Sequence, residues 1–197
     1  MLASLVLRHL LFDELAPSPL WEEGPRKIRQ IKLEGALGYC YIRSGNEAKG
    51  FPLLEQAVEQ GSRSLWGIWL SESYAQTGRL AEAQALANHT LDLARRQKER
   101  GWEVQVLCLL GDLALHCDSL SLEAVETHYQ QALMLASELG MRPLQAHCHR
   151  GLGNLYRQTG QAEQARGALS TAVEMYQDMG MTFWQPETEA ALAQVSI

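Results

Sequence analysis

The sequence predicts an all-α protein built from repeated helix pairs, and two observations carry that prediction. The first is periodicity. Between Arg150 and Met181, Leu152, Leu155 and Tyr156 stripe one helix, Gly160 marks a turn, and Ala165, Ala168, Leu169, Ala172, Val173 and Tyr176 stripe a second. The second is recurrence. Gly61, Gly101, Gly140 and Gly180 are spaced 40, 39 and 40 residues apart, each after a helical pattern. The flanks also recur: Glu138-Leu139-Gly140-Met141 returns as Asp178-Met179-Gly180-Met181. Glycine supplies the left-handed residue just past a helix end. One such hairpin cannot bury its apolar face alone and requires similar neighbours.

The elements follow in order. Leu2, Leu5, Val6, Leu10 and Leu11 give Met1 to Leu15 helical spacing, and Ala16 to Gly24, with Pro17 and Pro19, is loop chemistry. Helix returns from Arg26 to about Arg43 with Ile28, Ile31, Leu33, Leu37 and Tyr41 on its stripe, then turns at Ser44 to Asn46. The next helix contains Gly50 and Pro52, so it is expected to start late or to kink. Gly61 ends it, Ser64 to Thr77 follows with Trp66, Trp69, Leu70 and Tyr74, and Gly78 turns the chain. A helix from Leu80 to Arg100 is expected to close at Gly101. Helices at Glu103 to Cys117 and Leu122 to Leu139 precede the hairpin, whose first helix is entered near Pro143, and a last helix begins at Pro186.

Composition sets limits on function. The chain has 197 residues, 46% apolar and 20% charged, with a formal net charge of −6, a balance unlike the basic domains that bind nucleic acid. The opening MLASLVLRHLLFDEL is interrupted by Arg8, Asp13 and Glu14 and lacks the marks of a targeting signal, so it reads as an amphipathic packing helix. No stretch approaches the ~20 apolar residues of a membrane span. Cys40, Cys108, Cys117 and Cys148 are far apart in sequence, and free thiols in a reducing cytoplasm are expected.

The repeating residues resemble the tetratricopeptide repeat family. Leu152, Gly153, Tyr156, Gly160, Ala165, Leu169 and Ala172 match its pattern in full. Leu70, Ser71, Tyr74, Gly78, Ala83, Ala87 and Thr90 match well, and Leu37, Gly38, Tyr41, Gly45, Gly50, Leu54 and Ala57 follow the same order. Leu110, Gly111, Tyr129 and Ala132 keep part of it, with Ala114 replacing an aromatic. The resemblance covers about Ile31 to Ile197, and a period near 40 is similar to the long repeats of bacterial regulators that join such arrays to ATPase or cyclase domains. No Gly-rich phosphate loop ending in Lys-Ser or Lys-Thr accompanies it. It implies a right-handed superhelical solenoid of about four helix pairs. The chain then reads as one domain: residues 1–25 an N-terminal helix and loop, 26–180 the repeats, and 181–197 a capping helix.

His116-Cys117, His128 and His147-Cys148-His149 have the atom types of zinc ligands, but His147 and His149 are two apart on a helix and diverge, so no metal is expected. Cys40 and Cys148 fall on packing positions. Glu187 with Glu189, and Glu174 with Asp178, read as solvated helix faces rather than an acid–base pair.

The family places the first helix of each repeat on a concave surface. Carried over by position, the groove set includes Tyr39, Arg43, Glu72, Gln76, Asp112, His116, His147, Arg150, Asn154 and Arg157. Residues 121–197 hold four arginines against eight carboxylates, yet Arg142, Arg150 and Arg157 share one inner helix. Some peptide-binding members use a basic residue and Asn at such positions to hold a carboxylate; pairing of these arginines with nearby Glu is the plainer alternative. The expected function is a non-enzymatic, cytoplasmic, bacterial protein-interaction module that takes no cofactor and binds a protein or peptide, acidic in character, but neither nucleic acid nor membrane. A regulatory domain sensing a small effector is the alternative. Leu2, Leu5, Val6 and Leu10 are available to cap the array or to form a homodimer through its ends.

Overall fold

The apolar stripes form helices in a computed structural model that describes residues 23–60, 64–115 and 122–195, with side chains from Gln30 onward. Nine helices and no strand occur among the described residues. They are α1 (Glu23–Arg43), α2 (Glu47–Gln60), α3 (Ser64–Gln76), α4 (Leu80–Gln97), α5 (Arg100–Leu115), α6 (Leu122–Glu138), α7 (Arg142–Gln158), α8 (Ala162–Asp178) and α9 (Gln185–Ala193). Helices adjacent in sequence pack as pairs, α1 on α2, α5 on α6 and α7 on α8, and α9 packs on α8. The expected all-α repeat is present. Contacts group the chain into two compact units, the first through Leu86 and the second from Ala87. The expected N-terminal packing helix and its capping leucines lie outside the described residues.

The same backbone closure ends helix after helix. At Gly45, Gly78 and Gly160 φ is 83°, 80° and 74°, and the residue after each glycine donates its N–H to a carbonyl five residues back. These bonds are Asn46 to Tyr41, Arg79 to Tyr74 and Gln161 to Tyr156, at 2.8, 2.8 and 2.9 Å. They satisfy carbonyls that a helix end would leave orphaned. Gly140 and Gly180 do the same, with φ of 66° and 65°.

Gly101 does not, which corrects the glycine ladder read from the sequence. It is the second residue of α5, and Lys98 takes the left-handed turn with φ 57° while Glu99 donates to Ala94 at 2.9 Å. The reversal has to fall between buried Ala94 and buried Val104, and Lys98 stands where the turn comes.

Two further expectations shift. α2 starts at Glu47, ahead of Pro52, because Gly50 is buried where α1 and α2 cross; a Cβ there would come within 2.6 Å of the Gly38 carbonyl oxygen. In α1 the apolar stripe does not decide the buried face. Leu33, Leu37 and Tyr41 are exposed, and Gly35, Ala36, Gly38 and Ile42 are buried, since small residues let the backbones approach closely. In the first unit Ile42, Leu54, Ala57, Trp66 and Leu70 form a core, with Trp69 packed against it.

The second unit is built around Tyr129 of α6, which is 1% exposed. Its ring lies where the Cβ of Gly111 on α5 and of Gly151 on α7 would stand, at 2.7 and 2.3 Å. Val125, Ala114, Leu152 and Leu155 complete this core. Gly153 faces Leu169 of α8, with a Cβ position 2.5 Å from Leu169 Cγ.

Two stability outcomes follow from these contacts. Gly153→Leu should overpack the α7–α8 crossing and cost about 1–3 kcal/mol or more in urea unfolding; an unchanged midpoint would place the helix contact elsewhere. Lys98→Gly should relieve a left-handed side chain and stabilise by about 1 kcal/mol in the same assay.

Candidate functional site

Three helices of the second unit, α5, α7 and α9, line an open cleft of about 540 Å³. α5 contributes Asp112 and Leu115, α7 contributes Arg150, Asn154, Arg157 and Gln158, and α9 contributes Glu187, Thr188, Ala190 and Ala191, with Gln194 just past its end. Arg150, Asn154 and Arg157 recur at intervals of four and three residues, which puts them on one face of α7. Gly111 and Gly151, the residues that clasp Tyr129, immediately adjoin Asp112 and Arg150, so the core contact also positions two of the cleft's charges, of opposite sign.

The arginines are held differently. The Arg150 guanidinium lies 4.5 Å from the Trp184 ring centroid, and its Nη1 is 3.5 Å from Glu187 Oε2. The Arg150 side chain is 17% exposed and that of Glu187 71%. A cation flat on an indole is oriented as well as attracted. Arg157 donates from Nη1 to Gln194 Oε1 at 3.1 Å, and its buried Nε has no partner. Arg142 instead pairs with Asp178 at 3.3 Å on an exposed surface. The plainer alternative, pairing with nearby carboxylates, thus describes Arg142 fully and Arg150 in part. Asp112 accepts the Tyr129 hydroxyl at 2.6 Å.

His147 is near the cleft but not among its lining residues. It is half-buried, shares a 2.7 Å hydrogen bond between its Nδ1 and the Tyr176 hydroxyl, and meets Trp184 edge-on at 5.1 Å. It therefore backs the indole that carries Arg150. Burial, and then the Arg150 charge, lower its pKa to about 4. Burial shifts the Tyr176 phenol upward, against the lowering pull of the Arg150 charge, so it stays protonated.

The remaining candidates lie in the first unit or outside the described residues. Tyr39 stacks on Trp69 with centroids 4.6 Å apart and donates to Glu72 Oε2 at 3.2 Å; burial and then Glu72 push its phenol up. Arg43 and Gln76 are exposed. His116 lies outside the described residues. Among the described residues no three His, Cys, Asp or Glu side chains converge as metal ligands, and no helix is long and apolar enough to cross a membrane.

Sequence reasoning did not place Trp184, Glu187 and Gln194 at the site. A signal was available: Glu187 and Gln194 each fall 37 residues after the arginine they contact, so α9 stands where the next inner helix of the repeat would stand.

No protein-family model matches the chain. No curated protein matches it in sequence. Solved structures do match in fold. The apo form of RapI superposes with a TM-score of 0.72 at 17% identity, over 84% of this chain and 62% of that one. A Signal Transduction ATPase with Numerous Domains protein with a tetratricopeptide repeat sensor, from Pyrococcus horikoshii, gives 0.69 at 20% identity, over 97% of this chain and 29% of that one. The chain thus spans less than two thirds of either structure and has a tetratricopeptide-like helical-repeat fold.

The imidazole supplies a test of this geometry. His147 should titrate near pH 4 by NMR, well below the ~6.5 of an unperturbed histidine. Because the folded-state value is depressed, the unfolded chain takes up the proton first. The His147 contribution therefore erodes stability as pH falls from about 6.5 to about 4. His147→Gln, which keeps an acceptor for Tyr176, should lessen that loss relative to the parent.

Proposed function

We propose that the cleft of the second unit recognises an acidic polypeptide segment, and that the protein is a non-enzymatic interaction module of a regulatory kind. The observation that carries this reading is the array of Arg150, Asn154 and Arg157 along one face of α7, opening onto a cleft lined by three inner helices. Arg150 is already oriented by Trp184 and already meets a carboxylate, that of Glu187. A guanidinium donates two parallel hydrogen bonds to a carboxylate, and Asn154 adds a neutral donor one helical turn away. The openness of the cleft suits an extended chain rather than an enclosed small effector. The alternating signs of Asp112 and Arg150 would set the direction in which a peptide lies.

In this reading Glu187 stands in for the ligand's carboxylate and yields to it. The exchange is inexpensive, because the Glu187 side chain is largely exposed and one carboxylate replaces another on Arg150. Association should be fast at low salt and slow as ions screen the attraction.

The test uses fluorescence anisotropy with labelled acidic decapeptides bearing a free or an amidated C-terminus, and neutral decapeptides as controls. Acidic probes should bind more tightly than neutral ones, with affinity falling as salt rises. Arg150→Ala with Arg157→Ala should weaken binding at least tenfold, about 1.4 kcal/mol, while the melting temperature stays close to the parent's. Glu187→Gln should tighten binding by removing the internal competitor. Equal binding of acidic and neutral probes, or a double variant with undiminished affinity, would reduce the basic face to a solvated surface.

A further inference from the structure

Two thiols take no part in the cleft's recognition chemistry and yet meet each other. Cys108 on α5 and Cys148 on α7 are 40 residues apart, one repeat, and their sulfurs are 3.3 Å apart. Both carry free thiols. Cys148 is fully buried and Cys108 is half-buried, so Cys108 is the one of the two that a small reagent meets first. A disulfide needs a sulfur separation of about 2.05 Å, so a closure of little more than 1 Å joins them. Their helices are already packed against each other, which brings the backbones close before any bond forms.

We propose that Cys108 and Cys148 are a modification site, a reversible disulfide that forms by exchange with a low-molecular-weight disulfide. The half-buried Cys108 loses its proton and its sulfur attacks one sulfur of the small disulfide. The S–S bond of that molecule breaks, and one thiolate leaves and is protonated. Cys148 then loses its proton and attacks the Cys108 sulfur of the mixed disulfide, so the second small thiolate leaves and is protonated. The protein dithiol is oxidised by two electrons, and the small disulfide is reduced to two thiols. The contact with Cys148, and then burial, push the Cys108 thiol up, which keeps the resting Cys108 protonated and its first attack slow.

The bond would tie α5 to α7 one helical turn from Asp112 and two residues from Arg150. Oxidation would then set the spacing of the cleft's opposite charges. That consequence rests on the proposed peptide site, whereas the bond itself does not.

The experiment uses the whole chain with Cys40→Ser and Cys117→Ser, so that only the pair remains, incubated under native conditions with oxidised glutathione. Thiols counted after denaturation should fall from two to zero. The mass should drop by two hydrogens with no added glutathione, and the chain should stay monomeric on a non-reducing gel. The melting temperature should rise and return on adding dithiothreitol. In the natural chain, Glu-C digestion should join peptide 104–123 to peptide 139–163, with fragmentation placing the bond on Cys108. This arm keeps the proposal testable should the serine variant fold poorly. Two persistent thiols, a stable glutathione adduct on Cys108, or bonds only between chains would overturn it. None of these results depends on peptide binding.

Discussion

The contact on which the second unit depends is the seating of Tyr129 between two glycines. Its ring occupies the space that a Cβ on Gly111 or Gly151 would need. Interiors pack to crystalline density, so such a site has no slack on either side. The tyrosine therefore sets the spacing of α5 and α7 through backbone contact. Its hydroxyl, which must find a partner when buried, reaches Asp112. One side chain thus fills the core, fixes the distance between two inner helices and anchors an acidic group at the edge of the cleft. The nearby sulfurs of Cys108 and Cys148 inherit their close approach from the same spacing.

A second layer of order runs from α8 to the cleft. Tyr176, buried in α8, hydrogen-bonds with His147; His147 meets Trp184 edge-on; Trp184 carries the Arg150 guanidinium on its face. Each link is modest, but together they hold a long, flexible cation in one orientation before any partner arrives. Desolvation keeps the imidazole neutral, and a charged imidazole three residues from Arg150 would add repulsion where attraction is needed. Recognition gains from such preorganisation because less side-chain entropy is lost on binding.

Helices, their pairing and most of their turns could be read from residues alone. The Gly160 hairpin is legible because its stripes and its left-handed turn residue are local features, decided within four or five residues. The same local logic misled at Gly101, where Lys98 makes the turn, and in α1, where leucines at helical spacing stay exposed while small residues pack. In both cases the position of a neighbouring helix outweighed local preference. The placing of Arg150, Asn154 and Arg157 on one face was visible as spacing.

The sequence by itself determined the all-α repeat, because helix periodicity and turn glycines are short-range and recur every 40 residues or so. It also determined which helix face carries the arginines, since 3.6 residues per turn leaves no choice. Only the tertiary structure decided what those arginines face. Trp184, Glu187 and Gln194 are 34 to 37 residues from Arg150 and Arg157, and nothing local to either helix records that α9 packs on α8 and enters the cleft. The same holds for the thiols: Cys108 and Cys148 are far apart in the chain and meet only because Tyr129 and two glycines bring their helices together.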